Sequence, residues 1–154
     1  MNQTSTDRIE KQVAIKAPLS RVWRALTDYR EFSQWFMVDL DSPFVAGQTS
    51  RGQTTHPECT GMMLELQVRD LEPEHYFSYY WEPYAPDPER PDAEKPRTLV
   101  EFRLEETGTG TLLRVIESGF DRLPDARREQ AYRMNDGGWT EQMKNIEAHV
   151  RKHP

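Results

Sequence analysis

An α+β fold is predicted for this chain, with a β-sheet formed by its middle and helices from both ends covering one face of that sheet. Three observations predict it. Val22 to Phe36 encodes two short amphipathic helices back to back, a second tryptophan-bearing helix closes the chain, and Met37 to Leu123 between them is largely alternating and β-prone. Helices laid over one face of a sheet enclose space, and here the residues facing that space are largely aromatic.

The elements follow in order. Arg8 to Lys16 sets Ile9, Lys11, Val13 and Ile15 against Glu10, Gln12, Ala14 and Lys16, the period of two of a half-buried strand. Ala17-Pro18 stops it. Leu19, Val22, Trp23 and Leu26 then share one helical face, with Pro18 near the first turn, where its missing N–H does no harm. Asp28-Tyr29-Arg30-Glu31 resembles a capping box and opens a second helix carrying Phe32, Trp35 and Phe36. The pair is expected to pack inward through Trp23, Trp35 and Phe36.

Pro43, Gly47, Gly52 and Pro57 break the pattern up to Thr60, so one or two short strands are expected there. Met62, Leu64, Leu66 and Val68 alternate with polar residues in a clear strand, and Glu72-Pro73-Glu74 turns the chain. Tyr76 to Trp81 places Phe77, Tyr79 and Trp81 on one face. Pro83 to Arg97 holds five prolines and seven charged residues, which predicts a long hairpin loop able to act as a lid. Val100, Phe102 and Leu104 resume the alternation, Gly108-Thr109-Gly110 turns, and Leu113, Val115 and Glu117 point the same way on the next strand. From Pro124-Asp125 onward Tyr132, Asn135, Trp139, Met143, Ile146 and Val150 keep helical phase through Gly137-Gly138, which predicts one continuous helix.

At 154 residues the chain suits a single domain spanning 1–154, able to bury roughly 70% of its unfolded surface without metal or disulfide. Cys59 is the only cysteine and Met1 to Gln12 is polar, which together point to the cytoplasm. The apolar runs are too short for a membrane span, and a net charge of -6 argues against nucleic acid or anionic lipid as partner.

In order and spacing, Val22-Trp23-Arg24-Ala25-Leu26-Thr27-Asp28, Trp35-Phe36, Trp81, Gly110-Thr111, Ser118-Gly119-Phe120 and Gly138-Trp139 resemble the START-like, or helix-grip, superfamily known as SRPBCC. The nearest resemblance is to bacterial proteins similar to the C-terminal domain of the activator of heat-shock-protein-90 ATPase. It implies a curved antiparallel sheet wrapped around the C-terminal helix, with a cavity between them. Relatives include binders of apolar small molecules, polyketide aromatase/cyclases and co-chaperone domains, so fold alone does not select a function. Pro83 to Arg97 is longer and richer in proline than the hairpin usual in that family.

The candidate ligand-binding residues are Trp35, Phe77, Tyr79, Trp81, Phe102, Trp139 and Met143 as apolar wall, with Glu117 and Asn135 fixing ligand polarity. Met134 or the Pro83 to Arg97 loop would restrict access. An enclosed Glu117 has the chemistry of a general acid or base, yet a buried Glu satisfied by a Tyr, a Trp N–H or the backbone is the simpler expectation. No catalytic residue, cofactor or metal is assigned. His56-Pro57-Glu58-Cys59 lacks a second ligand pair, and His149 and His153, four apart near a frayed helix end, suit the helix dipole better than a metal. Gly108-Thr109-Gly110 and Asp136-Gly137-Gly138 lack the strand, loop and Lys of a phosphate cradle, while Arg127, Arg128 and Arg133 suit a solvated helix face. The expected function is therefore cytoplasmic binding of a small apolar or aromatic molecule. The alternatives are a co-chaperone-like domain docking on a heat-shock-protein-90 relative and a cyclase-like enzyme using Glu117.

Overall fold

The computed structural model describes residues 7–57, 61–83 and 96–154. Seven strands form one sheet: β1 (Arg8–Ile15), β2 (Val38–Leu40), β3 (Thr49–Thr54), β4 (Met63–Glu72), β5 (Tyr76–Trp81), β6 (Thr98–Thr107) and β7 (Gly110–Ser118). Their spatial order is β1-β7-β6-β5-β4-β3-β2, and every neighbouring pair is antiparallel. Consecutive strands from β2 to β7 are therefore neighbours, while β1 and β2 occupy opposite edges. The only way from one edge to the other is the pair α1 (Leu19–Thr27) and α2 (Tyr29–Phe36), which crosses the face that the apolar residues line. A bulge between Val68 and Asp70 disturbs the β4–β5 ladder, the kind of irregularity that bends a strand and deepens sheet curvature.

The 28-residue helix α3 (Asp125–Lys152) runs along the same concave face and is continuous through Gly137-Gly138. Ala131, Trp139, Met143, Ile146 and Val150 are buried on it, and Tyr132 hydrogen-bonds the Arg8 carbonyl on β1 at 3.0 Å. The alternation read from sequence decides the sheet's faces: Leu64, Leu66, Val68, Phe77, Tyr79, Val100, Phe102, Leu104, Leu113, Val115 and Glu117 are all buried beneath the helices. Gly52 is where β3 comes closest to β2, since a Cβ there would sit 2.1 Å from the Asp39 carbonyl oxygen.

Three local expectations are corrected. The buried face of α1 is Arg21, Val22, Ala25 and Leu26, with Leu19 and Trp23 only half-buried. The face is rotated because the end of α3 supplies a carbonyl acceptor for Arg21, which lets a cation occupy a covered position. Asp28 does cap α2 by accepting from the Arg30 N–H at 2.9 Å, but the Glu31 carboxylate turns to Arg21, Arg24 and His149. The end of α3 is accordingly anchored, and His149 is buried there. The loop expected over Pro83 to Arg97 falls for the most part outside the described residues, as do Glu58 and Cys59.

Candidate functional site

Glu117 is the centre of the interior. Its neighbours across the sheet are Val100 on β6 and Ile9 on β1, and its side chain is 0% exposed. Four uncharged donors converge on it. Oε2 accepts from Trp81 Nε1 at 2.8 Å, from Thr98 Oγ1 at 2.5 Å and from Asn135 Nδ2 at 3.1 Å, while Oε1 accepts from Trp139 Nε1 at 2.8 Å and Asn135 Nδ2 at 3.0 Å. Trp81 and Thr98 face each other where β5 and β6 pair, and Asn135 and Trp139 lie one turn apart on α3, so one carboxylate fastens the helix to three strands. Burial disfavours the charged form and pushes the Glu117 pKa above the usual carboxylate range, against the pull of the four hydrogen bonds.

The candidate aromatic residues are brought together around this centre. Trp81 and Trp139 have ring centroids 5.7 Å apart, Phe102 lies 5.7 Å from Trp139, and Phe77 stacks on Phe102 at 5.9 Å. Tyr79 sits 5.6 Å from Phe77 and 5.5 Å from Trp81. Trp35 joins through Phe36, which contacts Trp81 and Trp139 at 5.9 and 6.1 Å, and its indole N–H is committed to the Ala25 carbonyl at 2.8 Å. Met143 is buried one turn beyond Trp139 on the same helix, and Asn135 is half-buried. Phe77, Tyr79, Phe102 and Glu117 are completely buried, so this interior is closed to solvent. Met134 is 59% exposed on the outer side of α3.

Two members of the cluster were not singled out from the sequence, although alternation places Thr98 on the face of Val100, Phe102 and Leu104. Thr98 opens β6, and its position opposite Trp81 depends on the length of the preceding hairpin, which conceals the register. Phe44 lies in the irregular segment between β2 and β3, yet its ring is 5.4 Å from Phe32 and 5.0 Å from Phe77. A lone large aromatic in a loop was the available signal.

A second polar cluster ties the ends of the helices together. Glu31 on α2 accepts from Arg21 Nη2 at 2.9 Å, Arg24 Nε at 2.8 Å and His149 Nε2 at 2.9 Å, and Arg21 also donates to the His153 carbonyl at 2.8 and 2.6 Å. An ionised carboxylate only accepts, so the proton of His149 resides on Nε2. Burial would raise the Glu31 pKa, but its hydrogen bonds to His149, Arg21 and Arg24 outweigh it and hold the group below the usual range. Among the described residues, open clefts of about 440 Å³ beside Arg21, Arg24 and Glu31 and about 420 Å³ between Ile15, Pro18 and Val150 lie at this end. None of the nine candidate residues lines either cleft. No group of three or more His, Cys, Asp or Glu side chains placed to hold a metal occurs among the described residues, and none of their helices is long and apolar enough to cross a membrane.

A curved antiparallel sheet that grips a long C-terminal helix, with two short helices after the first strand, is the helix-grip architecture of the SRPBCC superfamily. Within it, the chain belongs to the family described as Activator of Hsp90 ATPase homolog 1-like protein, which matches residues 16–151. The crystal structure of protein MLL2253 from Mesorhizobium loti is 31% identical, with 96% of this chain and 98% of that one covered at a TM-score of 0.75. The Aha1 dimer from Colwellia psychrerythraea, solved in solution, is 18% identical over 93% of this chain and 95% of its own, with a TM-score of 0.70. DynU16, from the dynemicin biosynthetic locus, is 22% identical over 94% of this chain and 47% of its own, with a TM-score of 0.69. The last two share the fold. No curated protein matches the chain.

Proposed function

We propose that the protein binds a small apolar or aromatic molecule between the curved sheet and α3. The observation that carries this reading is the placement of one carboxylate with four uncharged donors in the middle of an otherwise ring-lined interior. Aromatic walls supply non-directional burial, and a small number of fixed polar groups supply orientation, the usual division of labour in a small-molecule site. Glu117 acts here by holding both indoles at fixed angles, so that Trp81 and Trp139 present ring faces and edges in a defined geometry. Its two oxygens are already engaged by five donor contacts, which supports orientation over proton transfer and leaves the protein without an assigned catalytic role.

The interior is closed, so access requires one of the covering elements to move, and α3 carries the feature suited to it. Gly137 and Gly138 lie between Asn135 and Trp139, are exposed, and would meet nothing within 4 Å if given a Cβ. Neither close packing nor a turn requires glycine there, whereas each weakens the helix by about 1 kcal/mol relative to Ala. We place the opening of the site at that pair, with the Glu117 hydrogen bonds of Asn135 and Trp139 breaking as the helix loosens.

Native mass spectrometry of the protein purified from its own source is expected to retain a small molecule, and ligand-detected NMR across a metabolite library is expected to give saturable binding that Trp139→Ala abolishes. Absence of saturable binding would remove this reading. The second reading, docking on a heat-shock-protein-90 relative, is favoured by the family description. An unchanged chaperone ATPase rate, with no chaperone recovered in a pull-down, would remove that one.

A further inference from the structure

The Tyr79 hydroxyl has no account in the fold. Tyr79 lies on β5, the central strand of the seven, with Val68 opposite it on β4 and Val100 on β6, and Val100 in turn faces Glu117 on β7. Tyr79 and Glu117 thus flank one small valine in a single row across the sheet, beneath the helices. The residue is 0% exposed and, among the described residues, its Oη has no hydrogen-bond partner. A phenol O–H without a partner in an apolar interior loses the bond it made to water, and phenylalanine would fill the same space without that loss. The ring neighbours Phe77 and Phe102 offer no acceptor, Trp81 has only its N–H, and both Glu117 oxygens are occupied. Burial and the nearby Glu117 charge raise the Tyr79 pKa well above that of an ordinary phenol, so the group is a standing O–H donor at any physiological pH.

Resting on the reading of this interior as a ligand site, we propose that Tyr79 orients the ligand by donating its hydroxyl to a carbonyl-type oxygen, and that the ligand is a neutral molecule with an apolar body and one such acceptor. Neutrality follows from the surroundings. An anion entering this apolar interior would lose its hydration, and every donor bonded to Glu117 among the described residues is uncharged, so those donors supply no cation to offset a negative group. A ketone, lactone or quinone-like ring system has the required chemistry, and a carboxylate does not.

The test uses matched pairs at two sizes, acetophenone against ethylbenzene and 2-acetylnaphthalene against 2-ethylnaphthalene. Each is titrated calorimetrically into the wild-type protein and into Tyr79→Phe, and the thermal midpoint of both unliganded proteins is recorded. The wild type is expected to prefer the ketone of a pair. Tyr79→Phe is expected to lose roughly tenfold in ketone affinity, to change less than twofold for the hydrocarbon, and to melt no lower than the wild type. Equal losses for both members of a pair, or a midpoint lowered by several degrees, would overturn the role of Tyr79 while leaving the ligand site standing. Failure of the wild type to bind any of the four would overturn both.

Discussion

Glu117 and Glu31 are both packed against the helices of this fold, and they are held by opposite means. Glu117, under the middle of α3, is bound by two indoles, a hydroxyl and an amide, all uncharged. Glu31, at the open end of the helices, is bound by two guanidiniums and an imidazole. The cationic cluster answers charge with charge near solvent, and its partners come from α1, α2 and α3, so it fixes how the helices meet. The uncharged cluster leaves a carboxylate's charge inside an apolar interior and spreads it over dipoles, an arrangement whose worth depends on every donor being in place. One cluster is a fastening between helices. The other organises the surface that faces the proposed ligand.

The sharpest way to break this contrast is to remove the acceptor from the interior. Glu117→Leu keeps the bulk but leaves two indole N–H groups, the Thr98 hydroxyl and the Asn135 amide facing methyl groups, at about 1–3 kcal/mol for each buried group left unsatisfied. The losses are not additive, and about 4 kcal/mol of destabilisation is expected in urea unfolding, with a changed near-ultraviolet circular dichroism spectrum as Trp81 and Trp139 lose their anchor. Glu117→Gln preserves the shape, but its amide N–H must face a donor, and about 2 kcal/mol is expected. A Leu variant as stable as the wild type would mean that the hydrogen bonds do not fasten α3.

At the other cluster, Arg21→Met keeps the apolar stem and removes the bonds to the His153 carbonyl and to Glu31. About 2 kcal/mol is expected, the scale of a buried charge-assisted hydrogen bond, with the near-ultraviolet spectrum unchanged because the aromatic interior is untouched. A spectrum altered as much as in Glu117→Leu would show that the two regions are not independent.

The same two regions differ in how far the sequence discloses them. Glu117 is legible because strand alternation is local: Leu113, Val115 and Glu117 share a face whatever the rest of the chain does. Asn135 and Trp139 are legible from the helical stripe for the same reason. What joins them to Glu117 is the lateral register of the strands and the seat of α3, both set by non-local packing, so Thr98 could be read as sharing a face with Val100 and Phe102 but not as a partner of Glu117. The Glu31 cluster is less legible still. Its partners His149 and Arg21 make contacts across 118 and 132 residues, and short-range rules assigned Glu31 to a capping box and His149 to a helix dipole.

Gly137→Ala with Gly138→Ala sharpens the comparison from the opposite direction, by strengthening the helix between the two donors of the interior. Both positions are exposed with room for a Cβ, so the double variant is expected to gain about 1–2 kcal/mol in stability. If α3 opens there, probe association with the interior slows while the Glu31 cluster is unaffected, which stopped-flow tryptophan fluorescence would report. A stabilised protein with unchanged association rate would place the opening elsewhere.

The smallest effect is on acid stability, because the two carboxylates contribute with opposite sign. Glu31 has a folded pKa below its value of about 4.5 in the unfolded chain, so its contribution is present above that pH and is lost as pH falls through the lower, folded value. Glu117 has a folded pKa above the unfolded one. Its contribution is full below about 4.5 and disappears as pH rises through the folded value, so acidification from neutrality favours this region while it later undermines the other. In the wild type the two partly cancel. Urea midpoints measured from pH 7 to pH 3 are expected to show a blunted acid loss in Glu31→Gln and a steeper one in Glu117→Gln, each compared with its own midpoint at pH 7. A blunted loss in both variants would mean that Glu117, like Glu31, is held in its charged form, and the distinction between charged fastening and uncharged cage would have no energetic content.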